Sequence, residues 1–355
     1  MQRRVTQIEA IRVLAMAGIF FYHLWSVLPA GGVRNPFGPL LGAVLAQGYL
    51  GVVVFNAITG FVLTLPYADP GGKPPMGLAA FFRRRFGRIV PQYYLSLALW
   101  ALVALVIGAM PLTALAVCVA EKACFVQTFD PARFFCLVPA LWWMGLLAQF
   151  YLVFPLVLRL FRALGTARAT ALCLIGCWGL WYALSRAAGS HPTAAMFDYM
   201  LYFNLPYRLP EFVLGMAFAM LWKRRSATGG LSAGWGVGFC LAAGIGVLLS
   251  LTVKDALTMP FVHILLTVTS LGLAGALFCW PLMARWGGRP GVAAAAAASY
   301  SFYLLHQPLL GYGADLLHGR LAPFTAMLLL TLVAMPLSYA LARLQDRLVA
   351  LWQGK

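Results

Sequence analysis

In the first apolar stretch of the chain Arg12 is followed, eleven residues later, by His23. On a helix rising 1.5 Å per residue that spacing is about 16 Å. An arginine near one membrane face can hold a soluble anion while an imidazole deeper in, titrating near neutrality, serves as a general base. The competing reading is structural, a hydrogen-bonded core histidine and a snorkelling arginine. Glu9, one turn before Arg12, either orients it or begins the helix, where a carboxylate favours the macrodipole. His306 sits in the run SYSFYLLHQPLL, about ten residues into a later apolar stretch and close in depth to His23, so the two could share one cavity. A lone histidine in such a run is more often structural. Arg83, Arg84, Arg85 and Arg88 form a basic cluster. It reads as a stop-transfer signal or an anionic-lipid contact, or else Arg85 and Arg88, one helical turn apart, grip a phosphate together. Arg208 and Glu211, three residues apart, share a helix face and neutralise each other, and His263 lies near the end of another apolar stretch. The seven cysteines are odd in number and lack metal-ligand spacing, which favours packed thiols and no metal site. A bridge among Cys118, Cys124 and Cys136 stays open.

The elements that must position these residues follow from composition. Of 355 residues 62% are hydrophobic and 10% charged, against roughly 25% charged in soluble domains, and the mean hydropathy is +0.84. Spanning helices need about 20 mostly apolar residues, and about ten are expected, near 11–28, 45–65, 89–110, 137–158, 169–186, 204–222, 233–252, 261–281, 296–314 and 323–342. The sequence therefore predicts an all-α, polytopic membrane protein, a single domain over 1–355 with loops near 66–88, 111–136 and 187–203. The first stretch is long enough to span and lacks an A-x-A cleavage site, so it is expected to be a retained helix and not a signal peptide. The net charge of +17 would suggest nucleic acid in a soluble protein, but the basic residues sit between apolar runs. With the amino terminus in the cytoplasm, eighteen of the 26 Lys and Arg fall on the inner side. Six (Arg34, Lys122, Arg133, Arg186, Lys254, Arg320) fall outside, and Arg12 and Arg208 lie within the membrane. That bias obeys the positive-inside rule and predicts both termini in the cytoplasm and no nucleic-acid partner.

Six motifs then occur in order: IEAIRVLAMAGIFFYH, GYLGVVVFNAITGF, FFRRRFGRIVPQYY, LWWMGLLAQFYLVFPL, YRLPEFVLGM and SYSFYLLHQPLL. Together, from Ile8 to about Leu310, they resemble the acyltransferase-3 family of integral membrane O-acyltransferases. Arg12 and His23 stand where the family has an arginine, ten residues and a histidine. Thr59 stands where serine is usual, and Arg85 and Arg88 match its Arg-x-x-Arg pattern. The resemblance implies transfer of an acyl group, usually acetyl, from cytoplasmic acyl-CoA to a hydroxyl of a glycan or lipid-linked sugar at the bacterial inner membrane. It implies that His23 is catalytic, with Arg12, Glu9 and His306 assisting, and that Arg85 and Arg88, with Arg84 beside them, hold the phosphates of the donor. Leu147 and Ala148 precede Gln149 where many glycan-modifying relatives carry acidic residues, so no acidic acceptor contact is carried over there. The rival classes are a transporter or flippase for an acidic solute or lipid-linked glycan, since intramembrane Arg and His also mark substrate paths, and a non-catalytic scaffold.

Overall fold

In lipid every backbone N–H and C=O must be satisfied within its own segment, which leaves helices as the way for these apolar runs to fold. The computed structural model describes residues 5–27, 39–68, 77–188, 200–226, 231, 233–253 and 259–354. Arg3, Arg4, Arg34, Lys73, Lys254 and Lys355, used above to sort the two sides, lie outside the described residues, as does most of the loop near 187–203. The described chain is all-α. Its helices are α1 (Thr6–Val27), α2 (Pro39–Ala46), α3 (Gly51–Thr64), α4 (Leu78–Val106), α5 (Leu112–Ala123), α6 (Trp142–Leu164) and α7 (Thr166–Ala188). They continue as α8 (Leu205–Ser226), α9 (Ala233–Val253), α10 (Met259–Cys279), α11 (Pro281–Gly287), α12 (Pro290–Leu317) and α13 (Pro323–Trp352).

Each of the ten expected spans falls on one of these helices, and among the described residues 7 helical segments are long and apolar enough to cross a membrane. The chain is a polytopic membrane protein. Two of the other three fall short for physical reasons. α8 carries Arg208 and Glu211 in its body and Lys223, Arg224 and Arg225 in its last turn. α12 carries Ser299, Ser301, His306 and Gln307. α9 is apolar along Gly234–Leu249.

Three expectations are corrected. The loop near 66–88 is not all loop, since α4 begins at Leu78 and puts the whole basic cluster on a helix. The segment near 111–136 contains α5 and a Cys118–Cys136 disulfide, so two of the cysteines expected to be thiols are bridged. Lys122, counted as an external loop charge, is fully buried on α5, and burial pushes its amine down to about 8.

α1 lies centrally, packed against α3, α11 and α12, while α12 pairs with α13 and α9 with α10. α6 is the most enclosed of the candidate spans and supplies Trp143, Phe150, Phe154 and Phe161 to the core. α3 and α8 cross at glycines. A Cβ added at Gly60 would run into the Phe212 carbonyl, and one at Gly215 into that of Ala57. Small residues allow such close backbone approach between membrane helices. Gly60→Ala and Gly215→Ala should each lower the thermal unfolding midpoint in detergent, since overpacking costs about 1–3 kcal/mol. Unchanged midpoints in both would show that the crossing is not tightly fixed.

Candidate active site

α1 and α12 bring two histidines together. His23 Nδ1 lies 2.8 Å from His306 Nε2, and their rings are 5.0 Å apart. His306 is buried and its Nδ1 lies 2.9 Å from the carbonyl oxygen of Tyr303 and 3.2 Å from that of Phe302. A carbonyl only accepts, so the proton of His306 must sit on Nδ1, and its Nε2 must accept from the Nδ1–H of His23. This chain of hydrogen bonds leaves Nε2 of His23 with its lone pair available. Phe20, Phe302 and Tyr303 pack around His306, and the Tyr22 ring lies 5.3 Å from that of His23. The apolar packing fixes both rings, so the tautomer is set by the fold.

On the arginine-rich side of this pair a cavity of about 170 Å³ runs between α1, α3, α4, α6, α12 and α13. Arg12, Arg85 and Arg88 all line it, together with Gln92, Tyr151, Tyr300 and Asp346. Ile19 and Tyr303, each about one turn from a histidine, line it as well, whereas His23 and His306 do not. The sequence reading had the two histidines sharing a cavity. Instead they contact each other directly, one helical turn beyond the lining of this one. Arg84 is exposed on α4 and absent from the lining, so it stands apart from Arg85 and Arg88. Glu9 is buried with a carboxylate oxygen 3.9 Å from the Arg12 guanidinium, the outer limit of an ion pair.

Asp346 and the wider network around Arg208 and Glu211 escaped the sequence. Asp346 lies beyond the last expected span, but α13 runs on to Trp352 and carries it to the cavity, where the Ser301 hydroxyl donates to it at 2.6 Å. Arg208 and Glu211 pair at 2.9 Å as expected from their spacing, but they belong to a larger network. His263 Nε2 lies 3.1 Å from Glu211 Oε1, and the amide of Asn56 donates to Glu211 Oε2 at 2.6 Å. Asn56 in turn accepts from the indole N–H of Trp143 at 2.7 Å, and Trp143 lines the cavity. The Arg208 guanidinium lies over the Tyr202 ring at 4.2 Å and donates to the Tyr202 carbonyl at 3.0 Å. The only signal in the sequence was a set of polar residues at interior positions of apolar helices. Among the described residues no cluster of histidine, cysteine and carboxylate side chains could hold a metal ion.

The arrangement sets an imidazole whose tautomer is fixed about one helical turn beyond a cavity with guanidinium groups along its wall, a pairing suited to chemistry on an anionic substrate. A family model described as an acyltransferase domain matches residues 5–343. No curated protein and no solved structure gives a significant match. The family match covers nearly the whole chain and takes in α1, α4, α12 and the site they build, so the chain belongs to the acyltransferase-3 family and is a membrane acyltransferase.

Proposed function

We propose that the protein is an O-acyltransferase, most simply an O-acetyltransferase, that moves an acyl group from cytoplasmic acyl-CoA to a hydroxyl of a glycan or lipid-linked sugar. The observation that carries this reading is the His23–His306 contact, with His306 itself anchored to the Tyr303 carbonyl. His23 Nε2 takes the proton of the acceptor hydroxyl as its oxygen attacks the thioester carbonyl. The tetrahedral intermediate collapses with cleavage of the carbon–sulfur bond. The proton held by His23 passes to the leaving thiolate, and free CoA and an ester result. His306 accepts from His23 Nδ1 and so stabilises the imidazolium that forms, the part an orienting group plays beside a catalytic histidine.

The cavity supports the donor assignment. At about 170 Å³ it is smaller than the roughly 300–1,000 Å³ that enclose a drug-sized ligand. It fits an extended thioester arm, not a whole nucleotide. The phosphates of the donor then rest at the mouth on Arg85 and Arg88, whose forked donors suit phosphate geometry, with Arg12 further along. Ten spans, cytoplasmic termini and insertion in the bacterial inner membrane complete the reading. The Cys118–Cys136 disulfide, in the segment between α4 and α6, supports a side opposite the arginines that faces an oxidising compartment.

Purified protein should release CoA thiol from acetyl-CoA only when a hydroxyl acceptor is supplied. In Arg88→Ala the KM for acetyl-CoA should rise roughly tenfold to a hundredfold, the worth of a charged hydrogen bond, with kcat much less affected. Thiol release independent of any acceptor would argue against transfer, and an unchanged KM would remove Arg88 from the donor site.

A further inference from the structure

A second and larger cavity, of about 950 Å³, lies on the other side of α3 from the donor cavity, and Ile58 is the one side chain that lines both. Its volume is at the upper end of the roughly 300–1,000 Å³ range of small-molecule sites. The helices contribute to it in a pattern that sets its depth. α8 lines it from Leu214 to Arg224 and α10 from Val268 to Phe278, the second half of each helix. α7 lines it only from its start to Leu174, and α9 from Trp235 to Ala242. Ten residues of helix rise about 15 Å, half of the roughly 30 Å hydrocarbon core. The cavity is a slot one leaflet deep.

The chemistry of its walls changes along that depth. Phe61, Leu174, Phe218, Phe239 and Leu271 make the interior apolar. At the end where α7 begins and α8 finishes, Arg168 and Arg224 line the rim. Both are exposed, and neither makes a salt bridge among the described residues. Trp235 stands at the same end, under the guanidinium of Arg225 at 5.4 Å, as tryptophans do where membrane meets water. An apolar slot that opens toward lipid is filled by hydrocarbon, because water there would have no polar partners. Two arginines at its polar end complement a phosphate at headgroup depth.

We infer that this slot is a binding site for an anionic phospholipid of the arginine-side leaflet, with an acyl chain between α7, α8 and α10 and the headgroup phosphate between Arg168 and Arg224. The site is separate from the donor cavity and does not depend on which acyl acceptor the enzyme uses.

Native mass spectrometry of the purified full chain, with phosphatidylglycerol and phosphatidylcholine of identical acyl chains, tests the inference. The wild type should retain phosphatidylglycerol in preference by roughly tenfold or more, as expected for two basic residues at a membrane surface. Arg168→Gln/Arg224→Gln should bring it down to the level of phosphatidylcholine. Arg285→Gln/Arg289→Gln, which removes equal charge away from the slot, should leave the preference intact. Ala171→Trp, which fills the slot and spares both arginines, should lower retention of both lipids. A phosphatidylglycerol with a photoreactive acyl chain should cross-link to the slot faces of α7, α8 and α10. Equal retention of the two lipids, the same result from both arginine pairs, undiminished retention in Ala171→Trp, or cross-links confined to other helices would each overturn it.

Discussion

Replacing His23 by alanine should lower acyl transfer by roughly 10²–10⁴-fold, the contribution of a positioned general base, while the protein still inserts and keeps its unfolding midpoint. His23 is half-buried, and among the described residues its ring makes one hydrogen bond, to His306, so its removal opens little of the core. His306→Ala should be smaller in effect, because the base survives and loses only its orientation and the partner of its imidazolium. His306→Gln, which still offers an acceptor to His23 Nδ1, should recover part of that loss. Since the two histidines act as one unit, the double variant should be no worse than His23→Ala alone. The measurement is steady-state ester formation by the wild type and these four variants. Additive losses, or a His306→Gln as poor as His306→Ala, would count against the relay and leave His306 a packing residue.

The second large effect concerns stability. Arg208 and Glu211 are almost completely buried, 3% and 0% exposed, and each is held by further partners. Removing one member of a buried, hydrogen-bonded pair leaves an uncompensated charge and costs about 3–5 kcal/mol, whereas replacing both with apolar groups of similar size is often neutral. Arg208→Met should therefore unfold the protein at a markedly lower temperature in detergent, and so should Glu211→Leu. The double variant should recover much of the loss. The network reaches the cavity through Asn56 and Trp143, so the single variants should also lose activity before they lose fold. A single variant with an unchanged midpoint would show that the remaining charge is not left uncompensated.

Helix positions were largely legible because lipid leaves apolar runs one option, and depth along a helix followed from 1.5 Å per residue. That is why the comparable depths of His23 and His306 could be read. Their contact could not, because it depends on the packing of α1 against α12 across 283 residues of chain. Helix ends were less legible. Hydropathy ended the last span at 342, yet polar and apolar residues alternate around α13 up to Trp352, and that extension carries Asp346 to the cavity. The same limit hid the start of α4, since arginines on a helix and arginines in a loop have the same hydropathy. Spacing predicted the Arg208–Glu211 pair, but not Asn56 or His263, which arrive from α3 and α10. The Cys118–Cys136 bridge was one of several pairings the sequence allowed.

The most direct test is to incubate the purified protein in lipid nanodiscs with isotopically labelled acetyl-CoA and the surface glycans of its host, and to weigh the acceptor by mass spectrometry. Wild type should yield a labelled acetyl ester on a sugar hydroxyl, and His23→Ala should yield at most about a hundredth as much in the same time. A labelled ester formed equally well by His23→Ala would contradict the assignment of His23 as the base.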